Sequence, residues 1–175
     1  MAACTVNSAP KPDPAARVCD TRVLCLGNEL LRDDSLGPVV AGRLRPYANA
    51  DTEVVSTPET GFHLLDYILN TRHLVVVDSV LTGKAPVGTI YVLRDSELNV
   101  VVGGSPHYVG LYESLVLARR LDLPVAKEVV IVAVEIDDCS TLGGEMDSAL
   151  RAAIPEVIRI VQSMMIEADK PSVGN

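Results

Sequence analysis

Leu24-Cys25-Leu26-Gly27-Asn28-Glu29-Leu30-Leu31-Arg32-Asp33-Asp34-Ser35-Leu36-Gly37 decides how the rest of the chain is read. A short apolar run stops at Gly27 and helical periodicity resumes at Leu36, the pattern of a first strand, loop and helix in an α/β sheet. Residues 22–26 are the predicted strand, and Leu36, Val39, Val40 and Leu44 follow at helical spacing. Ligands of such sheets collect beyond the carboxyl ends of the strands. Asp33 and Asp34 therefore stand where a site is expected. Ser35 or Asp34 can also cap the helix, with Pro38 tolerated in its first turn.

Moving outward, residues 52–56 form a second predicted strand, followed after Pro58 by a helix with Phe62, Leu65 and Ile68 on one face. Residues 73–79 are the clearest buried strand, a β-branched run closed by Asp78. The fourth strand, 88–94, begins about ten residues after Asp78, with Gly83 and Pro86 between. A parallel crossover needs ~12 or more residues, so this strand is expected to run antiparallel at an edge. Residues 95–106, at ~3.3 Å each, can span the sheet and return the chain to its functional edge. A third helix opens at Ser105-Pro106-His107, a cap followed by proline, and continues with Val109, Leu111, Leu115, Val116 and Ala118. The fifth strand is 128–135, and a loop with Gly143 and Gly144 leads to a terminal helix over about 145–166.

The length of 175 residues suits one domain. Residues 1–20, with Pro10, Pro12 and Pro14, read as a disordered arm, 21–166 as the domain and 167–175 as a polar tail. Hydrophobic residues reach 48% while aromatics are only 3%, so the core is built from Val, Leu, Ile and Ala, the usual filling of buried parallel strands. A net charge of −8 argues against nucleic-acid or anionic-membrane partners, which are held by clustered Lys and Arg. No run approaches the ~20 apolar residues that cross a bilayer, and no signal-peptide pattern is present; a cytoplasmic protein is expected. Cys4, Cys19, Cys25 and Cys139 form no Cys-x-x-Cys pair, which removes zinc-knuckle and redox motifs and leaves reduced thiols as the expectation.

Topology then brings three side chains to one edge: Asp34 after strand one, Asp78 closing strand three and His107 in the first turn of helix three. Two carboxylates and an imidazole can make an open metal site. The positive end of the helix dipole keeps such a histidine neutral, as a ligand or base must be. Plainer roles exist for each. Asp33 and Asp34 can cap a helix, Asp78 can stabilise a turn, and His107 can be an ordinary first-turn residue. His63 and His73 have weaker claims. Glu135 ends strand five near the crevice, where an ordinary loop role is favoured over a catalytic one.

Gly27-Asn28-x-Leu30-x-x-Asp33-Asp34-x-x-Gly37, Thr60-Gly61, Val77-Asp78 and Pro106-His107-x-x-Gly110-Leu111, in this order and spacing, resemble the hydrogenase maturation endopeptidase family over about residues 22–165. The resemblance implies a three-layer sandwich with a five-stranded, mostly parallel twisted sheet between helices. It implies an endopeptidase that removes the C-terminal extension of a nickel-iron hydrogenase large-subunit precursor after nickel insertion. By that resemblance Asp34, Asp78 and His107 ligate metal, with Asp34 or Asp78 also serving as base. Gly27, Asn28 and Asp33 support the turn, and Thr60 and Gly61 contribute to substrate binding. The nickel is supplied by the substrate, so no tightly bound metal of the protein's own is expected, and a monomer is the default. Many relatives carry Gly where Cys25 and Ser35 stand, which makes Cys25 a candidate neighbour of the ligand. No covalent nucleophile is assigned, because neither Cys25 nor Ser35 has a local histidine partner.

A non-cleaving nickel-site checkpoint or chaperone for the same precursor would retain the same three residues. A peptidyl-tRNA hydrolase reading fails on the missing proline after Asn28 and on the acidic charge. A dinucleotide-binding reading fails because Gly27 is not followed by the second and third glycines of the pyrophosphate loop.

Overall fold

The computed structural model describes residues 18–94 and 106–168, with side chains for 18–94 and 110–166. In chain order the elements are β1 (Cys19–Leu26), α1 (Leu36–Leu44), β2 (Thr52–Thr57), a 3-10 turn (Gly61–Leu64) running into α2 (Leu65–Ile68), β3 (Thr71–Val80), β4 (Ile90–Arg94), α3 (Pro106–Arg120), β5 (Glu128–Glu135) and α4 (Ser148–Ala168). One sheet holds all five strands in the order β2-β1-β3-β5-β4. β1, β2, β3 and β5 are mutually parallel, and β4 pairs antiparallel with β5 at the edge. The short β3-to-β4 connection has the expected consequence.

Side-chain alternation along the strands feeds two apolar layers. Val23, Cys25, Val75, Val77, Val132 and Val134 pack beneath α1 and α4. Leu24, Leu26, Leu74, Val76, Ile131 and Ala133 pack beneath α2 and α3. The molecule is thus a helix–sheet–helix sandwich, as the sequence implies, with a core almost wholly aliphatic. At the amino edge of the sheet the buried guanidinium of Arg22 donates to the Tyr67 and Leu69 carbonyls at 2.9 and 2.6 Å and to Glu53 at 2.7 Å. Those bonds satisfy a charge that burial would otherwise make costly, and they close the end of α2.

Several boundaries differ from the sequence reading. β1 begins at Cys19, inside the stretch expected to be an arm, because the Cys19 and Thr21 N–H groups find acceptors at Asn70 and Asp51. The helix expected after Pro58 is a 3-10 turn and a single α-turn, and Phe62 is 59% exposed instead of facing the core; Leu64, Tyr67 and Ile68 fill that role. A short tight helix does not keep the 3.6-residue period on which the face was drawn. α4 starts at Ser148 because Asp147 caps it, its Oδ1 accepting the N–H groups of Ala149 and Leu150. Residues 95–105 of the expected loop 95–106, 1–17 of the expected arm 1–20 and 169–175 of the expected tail 167–175 lie outside the described residues.

Candidate active site

β1 sends the chain to β2 on one side and, after α2, to β3 on the other, so the direction of winding reverses between β1 and β3. A crevice opens beyond the carboxyl ends of the strands at such a reversal. The turn after β1 is folded directly over it. Gly27 adopts φ of +140°, and a Cβ there would lie 2.2 Å from the Asp34 carbonyl oxygen, so the turn closes on itself only with glycine at this position.

That closure aims Asp34. Its Oδ2 accepts the Asn28 N–H at 2.8 Å, and its Oδ1 accepts the Ser79 hydroxyl at 2.7 Å. The residue is 5% exposed. Ser35, the residue ahead of α1, makes no side-chain cap; its hydroxyl donates to the Arg32 carbonyl at 2.7 Å. Asp34 therefore links the β1 turn to β3.

Asp78 was expected to close β3, but the strand continues to Val80, and Asp78 sits within it opposite Ala133 of β5. Sequence periodicity could not place the end, because Ser79 and Val80 continue the buried run. The β1 ladder stops at the Cys25–Val77 pair, and the Ser79 N–H donates instead to Asp78 Oδ1 at 2.9 Å. Asp78 is fully buried. By alternation with Val76 and Val80 it lies on the face covered by α2 and α3.

His107 falls in the first turn of α3, and its side chain lies outside the described residues. The backbone of that turn is nevertheless fixed at the same edge. Gly110 packs on Gly61, just beyond β2, so closely that a Cβ on Gly110 would lie 2.3 Å from the Gly61 nitrogen. Ser114 Oγ donates to the Gly61 carbonyl at 3.1 Å. Gly61 thus anchors α3, while its neighbour Thr60 is exposed. Among the described residues no three His, Cys, Asp or Glu side chains are grouped to hold a metal ion.

Asp33 turns away from the crevice. Fully buried, it accepts the Asp147 N–H at 2.8 Å and lies 3.5 Å from Arg32 Nε, tying α1 to the start of α4. Burial pushes its carboxyl up, against the pull of the Asp147 amide and Arg32. Arg32 itself reaches Asp138 at 3.4 Å and Asp137 and Asp147 at 4.0 Å. The turn is also bridged to the β5–α4 loop: Arg32 N–H donates to the Thr141 carbonyl at 2.9 Å and Gly143 N–H to the Leu30 carbonyl at 2.8 Å.

Other candidates have structural occupations. Glu135 is 1% exposed and accepts the Thr82 and Gly83 amides at 2.7 Å each, the Thr82 hydroxyl at 2.6 Å and the Tyr91 hydroxyl at 3.0 Å. Burial pushes its carboxyl up, but those donors outweigh it and hold Glu135 below the usual range. It fastens the β3–β4 loop. Cys25 faces the α1–α4 layer, fully buried with its thiol pushed up to about 12, which removes it from the crevice and from thiolate chemistry. His73 lies at the opposite edge, 3.2 Å from Glu128, and His63 is exposed on the 3-10 turn. Ser79 went unassigned in the sequence; its place beside Asp78 in a β-strand was the only signal.

The architecture and site have known counterparts. A family model described as hydrogenase maturation protease matches residues 40–164, most of the chain. The chain belongs to the hydrogenase maturation protease family. Hydrogenase 2 maturation protease of Escherichia coli is 28% identical over 153 residues, covering 83% of this chain and 93% of that protein. The solved structure of the E. coli hydrogenase maturating endopeptidase HybD superposes with a TM-score of 0.76 at 25% identity, over 86% of this chain and 94% of that one. A [NiFe] hydrogenase maturation protease HybD from Thermococcus kodakarensis has the same fold, with a TM-score of 0.67 at 24% identity over 83% and 98% of the two chains. Family membership thus agrees with the motif resemblance and with the sheet order. No helix among the described residues is long and apolar enough to cross a membrane.

Proposed function

We propose that this protein is the endopeptidase that removes the C-terminal extension of a nickel-iron hydrogenase large-subunit precursor once nickel has been inserted. The observation that carries the reading is the match to hydrogenase maturation proteases over most of this chain and nearly the whole length of theirs. In this reading Asp34, Asp78 and His107 meet the nickel that arrives in the precursor. Carboxylate and imidazole donors suit a divalent metal of that kind. Nickel is part of the substrate, and the protein holds none tightly between turnovers. The precursor's nickel would supply polarisation of the scissile carbonyl or of water, and Asp34 or Asp78 takes up the proton, which makes the protease aspartic in type without a covalent intermediate. Thr60 and Gly61, at the mouth beside α3, contact the precursor. The free thiols of Cys19, Cys25 and Cys139 fit a reducing cytoplasm, and the protein acts as a monomer.

Incubating the purified protein with nickel-loaded and nickel-free precursor and measuring precursor mass tests this reading. Shortening of the nickel-loaded form alone is expected. A stable complex with unchanged precursor mass would replace the protease with a non-cleaving checkpoint.

A further inference from the structure

We infer that Ser79 is a positioning residue that sets the two acids of the site against each other. The inference rests on the reading that Asp34 and Asp78 act on the precursor. Ser79 reaches both carboxylates: its N–H donates to Asp78 Oδ1 at 2.9 Å and its hydroxyl to Asp34 Oδ1 at 2.7 Å. The side chains of Asp78 and Ser79 leave the strand on opposite sides, because successive residues of β3 face opposite layers. Asp78 lies toward α2 and α3, Ser79 toward α1 and α4.

The hydroxyl bond matters most where the acid is least constrained. Asp78 is carried by a strand paired along β5, whereas Asp34 is carried by a turn. The Asn28 amide donates to one oxygen of Asp34 and the Ser79 hydroxyl to the other, so donors from two separate elements act on the position and the plane of the carboxylate. Ser79 is 3% exposed, and a bond from a neutral hydroxyl to a carboxylate in that setting is short and directional. Without it, that oxygen loses its hydroxyl donor and the carboxylate is less firmly set about its χ2 torsion. Groups that hold reacting carboxylates are commonly worth about 10–100-fold in activity.

The test compares Ser79→Thr with Ser79→Val, which are closely matched in shape and differ in the hydroxyl, alongside Ser79→Ala and Asp34→Asn. Steady-state processing of nickel-loaded precursor and thermal melting are measured for each. The hydroxyl-free variants are expected to lower kcat by about 10–100-fold with KM unchanged, while Ser79→Thr retains most of the rate and all melt as cooperatively as the starting protein. Equal kcat for Ser79→Thr and Ser79→Val overturns the inference, as does a loss confined to KM. Should Asp34→Asn be inactive while Ser79→Ala is fully active, the positioning role alone falls; should Asp34→Asn process normally, the assignment of Asp34 falls and takes the role of Ser79 with it.

Discussion

Replacing Gly110 by alanine probes how the first turn of α3 is held over the crevice. The added Cβ would lie 2.3 Å from the Gly61 nitrogen and 2.5 Å from its Cα. Carbon contacts need about 3.5 Å, so the two backbones must part by about 1 Å, and no flexible side chain is available to yield. Overpacking of this kind costs about 1–3 kcal/mol, and the Ser114–Gly61 bond of 3.1 Å, worth about 1 kcal/mol, is strained with it. Alanine returns up to about 1 kcal/mol of helix propensity. The net loss is about 1–3 kcal/mol, or about 3–9 °C in Tm for a domain of this size. A 1 Å displacement of the turn carrying His107 is expected to lower precursor processing by as much as about 10²-fold. Gly42→Ala is the matched control: Gly42 lies in α1 with nothing within 4 Å of its added Cβ, so it should gain about 0.5–1 kcal/mol and process normally. Calorimetry and a gel-shift processing assay read both variants. If Gly110→Ala melts and processes like the unsubstituted protein, the contact with Gly61 does not hold α3.

Glu135→Gln puts an amide where four donors converge and is expected to cost about 2 kcal/mol. Because the folded carboxyl is held below its ordinary value, its stabilisation is complete above the unfolded pKa of about 4.3 and is lost as pH falls through the lower folded value; denaturant midpoints across that acid range should fall less steeply for Glu135→Gln. Cys25, buried with its thiol pushed up to about 12, should resist thiol reagents at pH 8 until the protein is unfolded. Cys25→Ala should then process precursor at an unchanged rate, and a dead but folded Cys25→Ala would restore a thiol to the chemistry.

Much of this was legible in the sequence because the signals were local. The glycine break after β1, the β-branched run of β3 and the short Gly83–Pro86 connection each have one physical reading, and together they fix a parallel sheet with an antiparallel edge. The motif resemblance supplied the family. What stayed hidden depends on register and on contacts between distant segments. That β3 overruns the β1 ladder by three residues is invisible in one strand's composition, yet it is why Ser79 turns to Asp78 and Asp34. The Gly61–Gly110 approach joins residues far apart in the chain, and neither glycine announces its partner. Phe62 misled because its segment is a 3-10 turn, in which helical periodicity has no hold.

The central claim is that the acids of the β1–β3 crevice act on a nickel-bearing precursor. Mass spectrometry of nickel-loaded large-subunit precursor after incubation with the unsubstituted protein, Asp34→Asn or Asp78→Asn tests it most directly. Loss of the C-terminal extension with the unsubstituted protein, and intact precursor with both folded variants, is the predicted result. Complete removal of the extension by either variant would contradict it.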